Sequence, residues 1–557
     1  MKTVRIFLLL TILIAIIDSQ AAEAQNLEKN LTEDLIGIGG SMGVNAGTYN
    51  VTGIDPRDRD FRYSLVGSVN VRLWEINFPF SMVVSEQQFD YTQPSNQYGF
   101  SPYYKWITLH GGWRSLTYSP FTLAGHTFLG GGFDLTPGNF RISAMYGRFN
   151  KATSGDSSLM YSVPTYERTG YAAKLGYGSQ ANYVDLIFLK AKDDESSLDT
   201  SFQKIVKPEE NMVLGLSARV NVFTSIFFEM DASSSFYTND TRAGSMADST
   251  SPVLLPAIKS IYPYNMSSQL TTAFQTSLGW RNSDFGIKLA YKRIDPDYKS
   301  MGAYYFESDV ENILIIPNVN LFERSLRLSG SFGLQHDNLL NTKLQQSERM
   351  IYSAGISFNK PEYGVDLKYS SYGITQYKGL NPLIDSMKVA RVNYSFNGSA
   401  RVMFTTESLL NSIILIGGYQ TLVDLNSRTA STSQSDNYMA NVAYQGNIAS
   451  SGLYFGVNLN YVQSIATGSK MEFVGPTAQI GKTISDLNLS GSVSYQFQTI
   501  NNESSGGTAS LNLQAGYSLG VHQSLNLNVN IINSGNGSAA APAFTEYRTN
   551  LGYMYNF

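Results

Sequence analysis

Residues 108–132, TLHGGWRSLTYSPFTLAGHTFLGGG, hold two of the chain's four histidines, several hydroxyl side chains and a run of three glycines. A histidine in contact with a serine and oriented by a third group is the arrangement of nucleophilic hydrolysis. The pairings that would do this here are His110 with Ser115 and His126 with Ser119. The setting argues against both, because TLHGGWR lacks the strand-turn-helix context of a G-x-S-x-G elbow. His336 and His522 lie in strand-end or turn contexts and bring no partner. No catalytic residue and no enzyme is therefore expected. Gly130, Gly131 and Gly132 are better read as a close approach of another backbone or a sharply bent wall.

Metal chemistry fares no better. The chain has no cysteine, which excludes thiolate ligands and nucleophiles, disulfides and a lipidated cysteine. The acidic groups Asp55, Asp58, Asp60 and Asp193, Asp194, Glu195 do not match the spacing of a calcium loop, so they read as solvated loops. No metal site and no cofactor is expected.

The elements that carry these residues are more informative. Residues 1–24 join Lys2 and Arg5 to an apolar run, Ile6 to Ile17, and close on Ala22, Glu23, Ala24, the pattern of a secretory signal peptide. The run is shorter than the roughly 20 residues of a spanning helix. Residues 25–557 follow, and the whole chain holds 36 Tyr, 30 Phe and 48 Gly, with only 15% charged residues against about 25% in ordinary globular proteins. Many aromatics with few charges suit a surface that meets something other than water. A net charge of -4 gives no reason to propose nucleic acid as a partner.

Period-two alternation dominates. Leu525, Leu527, Val529 and Ile531 share one face of a strand, opposite Asn526, Asn528 and Asn530. Leu489, Val493, Tyr495 and Phe497 likewise oppose Ser490, Ser492, Ser494, Gln496 and Gln498. Such segments run about 10 to 14 residues, near the 9 to 11 of tilted spanning strands. Short and long connections alternate between them. A closed barrel is the β architecture that satisfies every backbone group in lipid. The fold class is thus all-β, a single large antiparallel transmembrane β-barrel over 25–557. Twelve strands read cleanly between 325 and 557, and about thirteen lie upstream from near Leu35. That odd total implies one misread segment between 86 and 138. An even number near 24, within 22–26, is expected.

The chain ends YRTNLGYMYNF, with Leu551, Tyr553, Tyr555 and Phe557 on one face. Here it resembles bacterial outer-membrane β-barrel proteins, whose last strand commonly ends on an aromatic residue read by the assembly machinery. That resemblance implies a location in the cell outer membrane, with outer-membrane lipid and the assembly machinery as partners. Only about ten residues separate Gln25 from the first strand, too few for the plug domain of a TonB-dependent transporter. The chain is accordingly similar to the plugless outer-membrane barrels of Bacteroidota-type bacteria.

The expected function is a porin-like passive channel for small hydrophilic solutes, narrowed by the 238–269 loop and by the stretch PSNQYGFSPYYKW (94–106). Arg148, Lys174, Arg219, Lys288, Lys292, Arg327, Lys368, Arg391 and Arg548 are expected to face the lumen, since lipid-facing charge costs about 2 to 4 kcal/mol at mid-bilayer. Unpaired, they would favour anions. Paired with Asp185, Glu229, Asp231 and Asp366, they would be structural. The alternative is a barrel serving as scaffold or accessory subunit, closed by other envelope proteins.

Overall fold

The computed structural model describes residues 36–86, 96–154, 163–245, 261–304, 307–378, 389–535 and 542–557. The expected leader over 1–24 lies outside them. β1 (Ile36–Thr52), β2 (Phe61–Leu73) and β3 (Ile76–Ser85) precede two short pieces, β4 (Gln97–Phe100) and β5 (Tyr103–Tyr104). Next come β6 (Ile107–Thr117), β7 (Ala124–Leu135), β8 (Phe140–Asn150), β9 (Glu167–Gly178) and β10 (Tyr183–Asp194). β11 (Glu210–Val222), β12 (Ile226–Thr238), β13 (Ser268–Arg281), β14 (Phe285–Ile294) and β15 (Val310–Leu321) complete the first half. The second half is β16 (Leu326–His336), β17 (Gln345–Asn359), β18 (Tyr363–Lys378), β19 (Ala390–Thr406), β20 (Leu409–Asp424) and β21 (Ser435–Ile448). It ends with β22 (Leu453–Ala466), β23 (Ser469–Ile484), β24 (Leu487–Ile500), β25 (Glu503–Ser518), β26 (Gln523–Ser534) and β27 (Phe544–Asn556).

Apart from β4 and β5, each strand pairs antiparallel with its chain neighbours, and β1 pairs with β27, Asn45 lying opposite Gly552. The sheet therefore closes on itself and leaves no free edge. β4 and β5 both lie between β3 and β6, with Phe80 opposite Phe100 and Tyr103 opposite Thr108. They form one interrupted stave, so the 27 strand segments make 26 staves rather than about 24. The stave that alternation missed falls in 94–106, the stretch expected to fill the pore. Pro102 has no N–H for the ladder and interrupts the pattern, yet the flanking residues still pair as wall. The twelve strands read between 325 and 557 coincide with β16–β27.

At the end of the barrel that holds Ile36 and Asn556, connections are two to four residues, as at 282–284, 449–452 and 485–486. The opposite end carries most of the long ones. Two connections there break the expected alternation of length: Thr467-Gly468 and Asn501-Asn502 are two-residue turns. Asn501 and Asn502 sit at φ 52° and 65°, the left-handed pair that a type I′ hairpin requires.

Burial separates the two faces of the wall. Along β10, Asp185, Ile187, Leu189, Ala191 and Asp193 are buried, while Val184 and Leu186 between them are 48% and 58% exposed. This row is covered by the Leu123 and Met301 side chains of connections between strands. Register extends the same inner face to Val213, Ser217 and Arg219 on β11 and to Ser143, Met145 and Phe149 on β8. The outer face carries exposed Leu175, Leu278, Leu289, Ile315, Phe332 and Val457, among many others.

Two in-folded connections supply the cover. Residues 118–123, between β6 and β7, and 295–304, in the connection between β14 and β15, meet inside the barrel. Tyr298 donates to the Phe121 carbonyl at 2.6 Å, Ser300 to the Thr122 carbonyl at 2.6 Å, and Ala124 N–H to the Gly302 carbonyl at 2.9 Å. Leu123 and Met301 thereby pack with Phe128, Met145, Phe149, Ile187, Leu189, Val213 and Tyr237 in one apolar core. Fully burying each large side chain there contributes about 1.5–3 kcal/mol. The glycine run serves this wall: a Cβ on Gly130 would stand 2.1 Å from the Tyr146 carbonyl oxygen, and one on Gly132 2.6 Å from that of Ala144. That is the close backbone approach the run implied.

Candidate functional site

The interior is the candidate site, and its two halves differ. Along β6–β15 it is layered. Nearest the tight turns, Arg141 holds Asp185 with two hydrogen bonds of 2.8 and 2.9 Å and lies over the Tyr183 ring. Lys174 stands over Tyr118, whose hydroxyl shares a 2.5 Å hydrogen bond with Ser143. The apolar core lies in the middle. Toward the long loops, Arg168 binds Asp193 at 2.7 and 3.0 Å and Glu209 at 2.9 Å. Asp193 thus serves as an ion-pair partner inside the wall, and no cluster of acids or histidines among the described residues is arranged to hold a metal.

Along β21–β27 and β1 the inner face is polar and small. Asn528 bonds Asn512 at 3.3 Å, and Ser494 bonds Ser510 at 2.6 Å. A recess of about 440 Å³ there is lined by Asn45, Asn488, Ser490, Gln514, Asn526 and Asn550, among others. No described segment folds over this half.

Eight of the nine basic residues expected at the lumen lie on the inner face by register: Lys174, Arg219, Lys288, Lys292, Arg327, Lys368, Arg391 and Arg548. Arg148 lies on the other face, alternating with Phe149 and sharing a side with exposed Tyr146, and it reaches Glu167 at 3.5 Å near the loop end. Most of the inner cations are paired. Arg219 and Lys288 share Glu229, Lys292 faces Glu307 at 3.7 Å, Arg391 faces Asp424 at 3.4 Å, and Arg548 holds Glu546 at 2.5 Å. Asp231 accepts from Gln275 and Asp366 from Ser357. Arg327 and Lys368 form no ion pair among the described residues. They border a recess of about 440 Å³ with Ser329, Ser353, Asn397 and Ser399.

The loop expected to enter the pore, 238–269, behaves differently where it is described. Tyr262 is fully buried against Met212 and Phe236, which lie on the outer face, and its hydroxyl meets Thr238 at 2.6 Å. Lys190 donates to the Ile261 carbonyl at 2.7 Å. This part of the loop clasps the outside of the rim, and residues 246–260 lie outside the described set. The actual inner cover, 295–304, carried no sequence signal beyond being a break between strands.

Neither histidine pairing considered from sequence is formed. Ser115 donates to the Gly125 carbonyl at 2.7 Å, Ser119 meets Thr122 at 2.7 Å, and His126 stacks on Tyr304 with ring centroids 4.2 Å apart. His110 instead meets Ser101 at 2.9 Å and Asp134 at 2.8 Å. His336 reaches the Asp337 carbonyl and Glu311, and His522 reaches the Asn556 carbonyl and stacks on Tyr555. The closing residues are part of the seam: Tyr553 opposes Val44, Tyr555 opposes Met42, and Phe557 packs edge-on against Tyr555 at 4.9 Å while its N–H donates to the Gly40 carbonyl.

No protein-family model matches the chain, and no curated protein matches it. Among solved structures, the chain is similar to Pseudomonas aeruginosa OpdK with vanillate (12% identity, 63% of this chain and 93% of that one, TM-score 0.30). It is also similar to the FrpB iron transporter from Neisseria meningitidis (11%, 95% and 83%, TM-score 0.39) and to the translocation pore of the P pilus usher PapC (9%, 94% and 100%, TM-score 0.38). At these identities and scores the likeness carries no functional argument.

Proposed function

We propose that the chain is a bacterial outer-membrane channel, porin-like and of the plugless kind, that passes small hydrophilic solutes. The observation that carries this reading is the division of the wall. Its outer face is a broad exposed apolar belt, which only a nonaqueous surrounding accommodates at this extent. Its inner face along β21–β27 is Asn, Gln, Ser and Gly with no described segment over it.

Twenty-six staves about 4.8 Å apart and tilted about 40° would enclose a backbone cylinder roughly 50 Å across. The core of in-folded loops narrows that opening from one side and leaves the polar half as the path. Arg327 and Lys368, which form no ion pair among the described residues although Asp366 lines the same recess, favour small anions along it. Phe557 at the closing seam is suited to be read during assembly.

The test is conductance. Purified protein, shown to be folded by heat-modifiable gel migration, is expected to open ion-conducting steps in planar bilayers. A folded barrel that inserts and stays electrically silent would overturn the channel reading; if it also copurified with other envelope proteins, it would be their scaffold.

A further inference from the structure

We propose that Ser101, His110 and Asp134 form a second functional site, a serine-hydrolase centre on the inner wall that acts on small water-soluble carboxylic esters. This goes beyond passive conduction, and also beyond what the sequence suggested, because the serine that meets His110 comes from a different stave. Ser101 lies in the two-residue interruption between β4 and β5. His110 is on β6 and Asp134 on β7, and both lie on the inner face, opposite Gly132 and Thr108 respectively.

Ser101 Oγ is 2.9 Å from His110 Nδ1, and His110 Nε2 is 2.8 Å from Asp134 Oδ2. With Nε2–H donating to Asp134, Nδ1 presents its lone pair to the serine hydroxyl. The ring nitrogens are used in the reverse of the order found in chymotrypsin-type triads, but the roles of nucleophile, base and orienting acid are complete. The His110 side chain is only 9% exposed, whereas Asp134 is 35% exposed to the interior.

A cation stands beside the nucleophile. Arg114 Nε donates to the Phe100 carbonyl, the peptide group that precedes Ser101, and its Nη1 donates to Ser81. Its Nη2 is left to meet the oxyanion that develops when the serine attacks.

The reaction balances without a cofactor. Ser101 Oγ adds to the ester carbonyl carbon as its proton passes to Nδ1. The bond to the alcohol breaks, and the alcohol departs with that proton. Water then adds to the acyl-serine, giving its proton to Nδ1, and the acyl–oxygen bond breaks as Ser101 recovers the proton. The net change is ester plus water to acid plus alcohol.

The experiment uses the full-length folded barrel in detergent micelles, with a fluorophosphonate probe and p-nitrophenyl acetate. Labelling on Ser101, abolished by S101A and slowed about 10²–10⁴-fold by H110A, is expected, since that is the usual contribution of a general base. Because the chain has no cysteine, S101C introduces its only thiol. Iodoacetamide should alkylate this thiol faster at neutral pH with His110 present than in S101C/H110A. Loss of Asp134 in D134N should slow labelling, and D134E should restore part of it, which a merely structural contact would not. Absence of labelling in folded wild-type protein, labelling that survives S101A, or an S101C alkylation rate indifferent to His110 would overturn the proposal. Conductance is measured separately, so failure here leaves the channel reading standing or falling on its own result.

Discussion

Arg141 grips Asp185 from two staves away, through Gly176 of the intervening β9, with both guanidinium bonds at 2.8–2.9 Å and the carboxylate only 2% exposed. Glycine at 176 makes the geometry possible, because a Cβ there would fall 1.8 Å from Asp185 Oδ1. The pair ties β8 to β10 across β9 at the tight-turn end of the wall.

Breaking that pair should be costly. Arg141→Ala leaves Asp185 buried and uncompensated, with an expected loss of about 3–5 kcal/mol. Unfolding of the refolded barrel in urea reads it directly. A double change that removes both charges, Arg141→Met with Asp185→Leu, should recover much of the loss.

The in-folded segment 295–304 sets how much of the interior is filled. Gly302 fits because nothing larger does: a Cβ would stand 2.4 Å from Leu189 Cδ1 and 2.6 Å from the Thr122 carbonyl oxygen. Gly302→Val is expected to displace the segment, expose the apolar core and raise single-channel conductance. An unchanged conductance would mean that this segment does not bound the path.

The rim connection at Asp309 gives a pH dependence with a definite sign. Burial pushes its carboxyl up, but Lys343 and the N–H groups of Leu339 and Asn338 more than offset that, leaving it below its ordinary value of 3.8. Those N–H bonds are 2.9 and 3.0 Å. A carboxyl lowered by folding stabilises the native loop above its unfolded value, and the contribution is lost as pH falls through the folded value. The protection of the Asn338 and Leu339 amides, taken relative to their intrinsic exchange rates at each pH, should therefore persist at neutral pH and be lost only below about 3.8, toward the folded value. In Asp309→Asn that protection should be low throughout.

Selectivity should depend on Arg327 and Lys368. They lie two staves apart on the inner face, joined in register through Gly355 and Ser357 of β17. Charge this near a narrowed path is incompletely screened, since the Debye length is about 8–10 Å at 0.1–0.15 M salt. Replacing both with Glu should shift the reversal potential in a salt gradient toward cation preference, with the gel shift of the folded barrel unchanged. The same exchange at Arg148, on the outer face, should leave the reversal potential where it was.

Much of the barrel was legible in sequence because alternation is a local property: one residue per face, repeated, needs no knowledge of what lies opposite. Leu525 to Ile531 and the asparagines between them announce both faces of β26 without any partner. The missing stave shows the limit. Pro102 erases the alternation over 97–104, and only pairing with β3 and β6 reveals the segment as wall. Alternation also divides the basic residues singled out in sequence, eight on one face and Arg148 on the other, because that division needs no knowledge of the partner stave. Arg148 escaped because near the rim a strand tolerates charge on either side.

The sequence by itself determined a closed antiparallel wall, its two faces and its closing strand, since each follows from period-two spacing and short turns. Only the tertiary structure decided what occupies the interior. Tyr298 reaches Phe121 across 177 positions, and Ser101, His110 and Asp134 meet from three staves. Such contacts depend on which loop folds inward and which stave lies beside which, and no local periodicity encodes either.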